Sequence, residues 1–125
     1  MNFIYKTAMP EDIDILVTTR IEVLRAANKL DDDVDMTEVA VQSRAYYEKA
    51  LKDGSHTAIL VYDKEKIIGA GGISYFEVMP TYHNPTGKKA YIMNMYTNPA
   101  YRRMGIAYHT LSLLVENAKN KGIDA

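Results

Sequence analysis

Asn98-Pro-Ala-Tyr-Arg-Arg-Met-Gly-Ile-Ala107 is the stretch that decides the fold. Before it, Ala90 to Thr97 is a largely apolar run of strand length, read as a central strand. After it, Met104, Ala107, Leu111, Leu114 and Ala118 repeat at helical spacing, and Gly122 suits a helix C-cap. A strand, a turn and a helix start in this order form a site for phosphate. The first N–H groups of a helix have no intrahelical acceptor, and the macrodipole places partial positive charge there. Gly105 allows close approach of an anion to the backbone, and Arg102 and Arg103 add fixed positive charge. Two ordinary surface arginines beside a turn glycine would have the same composition.

Working outward, Phe3 to Thr7 reads as a first strand. Pro10 with Glu11, Asp12 and Asp14 suits the first turn of a helix continued by Ile13, Leu16, Val17, Ile21 and Leu24. Asn28 to Asp35 breaks it; its acidic run reads as a solvated linker, with attraction of a cationic amine as the alternative. Asp35 and Glu38 have capping-box spacing ahead of a second helix through Met36, Val39, Ala40, Ser43, Tyr47, Ala50 and Leu51. Thr57 to Tyr62 and Lys66 to Phe76 form a hairpin about Asp63-Lys64-Glu65. Gly69, Gly71 and Gly72 in its second arm predict a bulge or a close backbone neighbour. Pro80 to Lys89 is a loop. The order is β-α-α-β-β-β-α, an α+β arrangement.

At 125 residues the chain is one domain, with ordinary globular composition: 47% hydrophobic and 25% charged. A net charge of −1 argues against nucleic-acid binding through a basic field. The absence of cysteine excludes disulfides, thiolate metal sites and a cysteine nucleophile. No apolar run reaches membrane-spanning length and no signal-peptide pattern opens the chain, so a cytoplasmic location without membrane contact is expected. Gly122-Ile-Asp-Ala125 resembles the entry to a further strand. A central strand without its next neighbour would expose unpaired N–H and C=O groups. The expectation is therefore an incomplete domain, 1–125, completed by another chain or truncated. A homodimer sharing sheet elements would cover that edge.

The element order, with Tyr101-Arg-Arg-Met-Gly-Ile-Ala107 at the last strand–helix junction, resembles the GNAT superfamily of acyl-CoA-dependent N-acetyltransferases. Its signature is Gln or Arg, two residues, Gly, one residue, then Gly or Ala; Arg102, Gly105 and Ala107 meet it. Tyr91 to Thr97 looks like the family's fourth strand, and Asn98-Pro99-Ala100-Tyr101 like the turn into the signature. The resemblance implies a mixed, mainly antiparallel sheet flanked by helices, here without the family's C-terminal strands. It implies acetyl-CoA as co-substrate, no metal, and a small-molecule or peptide amine as acceptor, attacked directly in a ternary complex.

By the same resemblance, Met95, Tyr96 and Thr97 would pair with the pantetheine arm as an added strand. Backbone amides from Arg103 through Met104, Gly105, Ile106 and Ala107 to Tyr108 would hold the pyrophosphate, with Arg102 lining the turn. An amide near Met95 would polarise the thioester carbonyl. The fourth strand carries no carboxylate, so the candidates for proton transfer are Glu77, then His83, with Asn94 orienting a water. Glu77 could equally be a solvated carboxylate, His83 a plain loop histidine, and Asn94 a structural residue. Tyr46, Tyr47, Met93 and Met95 read as core or pocket walls, and Arg20, Arg25 and Asn28 fall where relatives contact the acceptor. The family's usual acid, a tyrosine, would lie beyond Ala125. Two other readings stay open: a CoA-binding or assembly module without turnover, and a regulatory domain binding the phosphate of another nucleotide.

Overall fold

The computed structural model describes residues 2–123. Strand β1 (Ile4–Thr7) leads through a 3-10 turn at Pro10–Asp12 into helix α1 (Ile13–Asn28), and α2 (Thr37–Asp53) follows. Strands β2 (His56–Asp63), β3 (Lys66–Glu77) and β4 (Lys88–Thr97) come next, then a 3-10 turn at Pro99–Tyr101 and helix α3 (Ile106–Asn120). The strands lie in the order β1-β2-β3-β4 and every neighbouring pair is antiparallel. Among the described residues β4 is an outer strand rather than a central one.

Alternation along β2 builds the two halves of the core. Ala58 and Leu60 face α1 and α2, packing with Ile13, Leu16, Val17 and Tyr47. Ile59 and Val61 face α3, packing with Ile68, Ile73, Ile106, Leu114 and Ala118. The inner stripe of α3 is Ile106, Thr110, Leu114 and Ala118. The expected stripe started from Met104, but Met104 precedes the helix and, like Leu111, is exposed. Starting the helix two residues later turns its inner face toward Ile106 and Thr110.

Two ends are locked by local bonds. Helix α3 closes with Gly122 at φ 76°, its N–H donating to Lys119 O and that of Ile123 to Ala118 O, the double bond of a Schellman cap. Gly122 is therefore the C-cap expected, and Ile123 folds back as a buried residue, while the expected strand entry runs into residues that are not described. Asp124 and Ala125 lie outside the described residues. At α2, Asp35 Oδ1 accepts from Thr37 N at 2.9 Å and Thr37 Oγ1 at 2.6 Å. The N-cap position belongs to Met36, so the Asp35–Glu38 box becomes a turn one residue earlier, and Glu38 instead accepts from Gln42.

A register shift interrupts the pairing of β3 with β4. In β3 against β4, Ala70 stands opposite Tyr96 but Gly72 opposite Met93, leaving Asn94 and Met95 together against Gly71. Asn94 adopts φ 59°, a left-handed conformation that asparagine tolerates better than most residues. A Cβ on Gly71 would stand 2.7 Å from Thr110 Cγ2 and 2.8 Å from Met95 Sδ. The glycine thus lets α3 and the bulge close onto the same point of the sheet.

Candidate active site

The β4–α3 junction is held by side chains that bond its own turn. Asn98 Oδ1 accepts from Ala100 N at 2.9 Å, and Asn98 N donates to Ile68 O at 2.8 Å. Tyr101 donates to Asp63 Oδ2 at 2.7 Å and its ring meets Phe3 edge-on, which pins the turn to the β2–β3 hairpin. Beyond it the chain passes through Arg103 at φ 66° and Gly105 at φ 79°. The helical ladder begins only when His109 N donates to Gly105 O at 3.0 Å. Among the described residues, the N–H groups of Gly105, Ile106, Ala107 and Tyr108 have no acceptor. Nothing lies within 4 Å of where a Gly105 Cβ would stand, and a hollow of 630 Å³ opens there between Met104, Gly105, His109 and Tyr5. Arg102 and Arg103 are exposed beside it and pair with no carboxylate among the described residues.

This arrangement fits a diphosphate: consecutive free donors, a positive dipole end, two cations and room for the anion. The outer edge of β4 leads from the bulge to this turn. Met95, Tyr96 and Thr97 lie on that edge, with the Met95 side chain packed toward α3 and Tyr96 toward α1.

On the other face of the sheet a cavity of 440 Å³ opens at the bulge. Its walls come from five elements: Arg20 of α1, Val39 and Tyr46 of α2, His56 of β2, Ser74 of β3, and Met93 and Asn94 of β4. Tyr46, Tyr47 and Met93 take the wall positions read from sequence. Asn94 Oδ1 accepts from Arg20 Nη1 at 3.4 Å. Behind them sits a group that sequence reading passed over. Tyr46 Oη and Ser74 Oγ lie 3.0 and 3.1 Å from His56 Nδ1, and 2.7 Å from each other. His56 is 4% exposed, and its Nε2 has no partner. Burial, with the Arg20 charge adding to it, pulls the imidazole down to about 4, so it is neutral at physiological pH. Gly72 makes room for that ring, since a Cβ there would lie 2.8 Å from Nε2.

The remaining sequence candidates are not brought to this place. Glu77 ends β3 opposite Lys88, five residues from Gly72, or roughly 17 Å along an extended strand. His83 is farther still, in the loop closed by Val78 N donating to Gly87 O at 2.7 Å. The acidic residues 31–35 line neither the cavity nor the helix mouth. His56 gave no local signal, because its role depends on Ser74 standing opposite it and on Gly72, opposite Ala58, leaving room for its ring.

Comparison with known proteins agrees with this geometry. The model of the acetyltransferase (GNAT) family matches residues 22–125. A predicted acetyltransferase with acetyl-CoA from Clostridium acetobutylicum is 31% identical, with a TM-score of 0.89 over 98% of this chain and 77% of that one. A GCN5-related N-acetyltransferase from Ralstonia eutropha is 20% identical, with a TM-score of 0.85 over 98% and 79% of the two chains. An aminoglycoside acetyltransferase from an uncultured soil metagenomic sample shares the fold at 18% identity, with a TM-score of 0.70 over 98% and 75%. No curated protein sequence matches significantly. No helix among the described residues is long and apolar enough to cross a membrane. With the family model covering most of the chain, the protein belongs to the GNAT family of acetyltransferases.

Proposed function

We propose that this chain moves an acetyl group from acetyl-CoA to the primary amine of a small molecule, by direct attack while both are bound. The observation that carries the reading is the row of free amides from Gly105 to Tyr108, next to a β4 edge broken at Asn94. The Clostridium acetobutylicum relative, solved with acetyl-CoA, supports the identity of the donor. The amides and Arg102 and Arg103 hold the diphosphate, and the edge at Met95, Tyr96 and Thr97 pairs with the pantetheine amides. The bulge leaves a backbone N–H near Met95 to polarise the thioester carbonyl. The amine nitrogen approaches from the cavity, forms the C–N bond, and the C–S bond breaks to release the thiolate.

Asn94 stands where the two sites meet. Its amide keeps one Oδ1 lone pair and two donors beyond the Arg20 contact, enough to orient a water that relays the ammonium proton to bulk solvent. The second N–H proton, lost as the tetrahedral intermediate collapses, goes through water to the leaving thiolate. Glu77 and His83 have no part in this reading, given their distance along the strand. A second copy would use the same β4 edge as the pantetheine arm, so donor binding and sheet sharing compete; light scattering should show dimer that coenzyme A dissociates, and monomer throughout would reject it.

The direct test is calorimetric titration with coenzyme A followed by thiol release from acetyl-CoA over a panel of amines. Binding with turnover is expected. Binding without turnover on any amine would leave only a carrier-binding module, and no binding would remove the reading altogether.

A further inference from the structure

The cavity is lined by a guanidinium that forms no ion pair among the described residues. Arg20 and Glu38 are its charged lining residues. Glu38 stands exposed at the rim and accepts from Gln42 at 3.1 Å. Arg20 is half-buried, and among the described residues it forms no ion pair. Among the described residues its one side-chain hydrogen bond is the long one to neutral Asn94, which leaves most of its five N–H donors without a partner there. Tyr47, Val39 and Met93 line the same cavity and make its surface largely apolar. A guanidinium in such a setting is poorly solvated, and a planar anion that can accept two parallel bonds relieves that cost.

We propose that the acceptor is an amino acid, an amine with a carboxylate one or two carbons from its nitrogen, and that Arg20 holds the carboxylate. This rests on the acetyl-transfer reading above. Position sets the carbon count: Arg20 touches Asn94, so a carboxylate on its guanidinium places a nearby nitrogen beside the bulge, where the thioester carbonyl is to lie. A polyamine would bring positive charge against Arg20 instead. The remaining walls, Tyr46, Tyr47, Val39 and Met93, suit an apolar or aromatic side chain. Arg20 is then the residue that selects the substrate.

A brace for Asn94 is the competing role for Arg20, and the experiment separates the two. N-acetyl-leucine, N-acetyl-leucinamide and N-acetylspermidine are titrated calorimetrically into wild type, Arg20→Gln and Arg20→Lys, with and without coenzyme A. Wild type should bind the carboxylate at least tenfold tighter than the amide. Arg20→Gln should abolish that preference while leaving the amide and coenzyme A affinities unchanged, and Arg20→Lys should restore part of it. Equal affinity for acid and amide, tighter binding of the polyamine, or an equal loss for all ligands in Arg20→Gln would each overturn the proposal. Absence of coenzyme A binding would defeat the transferase reading separately, because the wild-type preference is measured without the donor as well. If Arg20→Gln fails to fold, the wild-type ratio of acid to amide still decides.

Discussion

The helix mouth at Gly105 and the cavity at His56 both present polar groups, but they are made of different material. The first is built from main-chain N–H groups within a dozen consecutive residues, and those groups do not titrate. The second is built from side chains of five separate elements and has a neutral histidine at its back. The two back onto neighbouring glycines of β3: Gly71 lies under α3, and Gly72 under the His56 ring. Among the described residues each side also carries one buried polar atom without a partner, Thr110 Oγ1 toward α3 and His56 Nε2 toward the cavity. A site made of backbone is therefore robust to pH and sensitive to shape, whereas the cavity is sensitive to protonation.

The largest effect that sharpens this contrast is acid destabilisation through His56. Above the ordinary histidine value of 6.5 both folded and unfolded chains hold it neutral, and it adds no pH dependence. Between 6.5 and about 4 the unfolded chain takes a proton that the folded chain refuses, so stability falls as pH falls. The full loss, reached below the folded value, is about 3 kcal/mol. Urea unfolding at pH 7.5 and pH 4.5 should show most of it, and His56→Gln should flatten the difference. An equal slope in the variant would mean that other groups drive the transition.

Next in size is the wall the two regions share. Gly71→Ala places a methyl against Thr110 Cγ2, Met95 Sδ and Leu114 Cδ1, so α3 or the bulge must move. A loss of about 2 kcal/mol is expected, the ordinary cost of overpacking, read as a lower urea midpoint at unchanged slope. Gly105→Val is the counterpart at the helix mouth. A branched residue at φ 79° is strained, and its side chain enters the space open for the anion. Coenzyme A should bind at least tenfold more weakly, while Gly105→Asn, which tolerates that conformation, keeps more of the affinity. If valine leaves the affinity unchanged, the diphosphate does not sit on these amides.

How far the sequence could be read follows from the same division. The strand–turn–helix at 90–120 was legible because each requirement sits close along the chain: Asn98 for the turn, Gly105 for positive φ, Gly122 for the cap. The bulge was half legible. Three glycines announced close packing in β3, but that Asn94 and Met95 stand against Gly71 is a fact of register, which one strand alone does not carry. The cavity was the least legible, since His56 meets Tyr46 and Ser74 only once α2, β2 and β3 are assembled. Glu77 and His83 drew attention as titratable groups near β4 in sequence, but chain proximity to an extended strand says little about its far end.

The smallest expected effect has the opposite sign. Thr110 is 1% exposed on the inner stripe of α3, and its hydroxyl has no partner among the described residues. Valine has the same shape and the same branched preference in a helix, so Thr110→Val removes a buried polar atom without opening a cavity or adding bulk. A gain of roughly 0.5–1 kcal/mol is expected, measured as a higher urea midpoint, with coenzyme A affinity unchanged. The corresponding change at the other orphan, His56→Gln, should not stabilise at neutral pH, because the ring also fills the space beside Gly72 and bonds Tyr46 and Ser74. Had the two unpartnered atoms been equivalent defects, both replacements would help. A loss of stability in Thr110→Val would show that its hydroxyl is bonded, through a water held between α3 and the bulge, and would place a polar link where the contrast between the two regions puts plain packing.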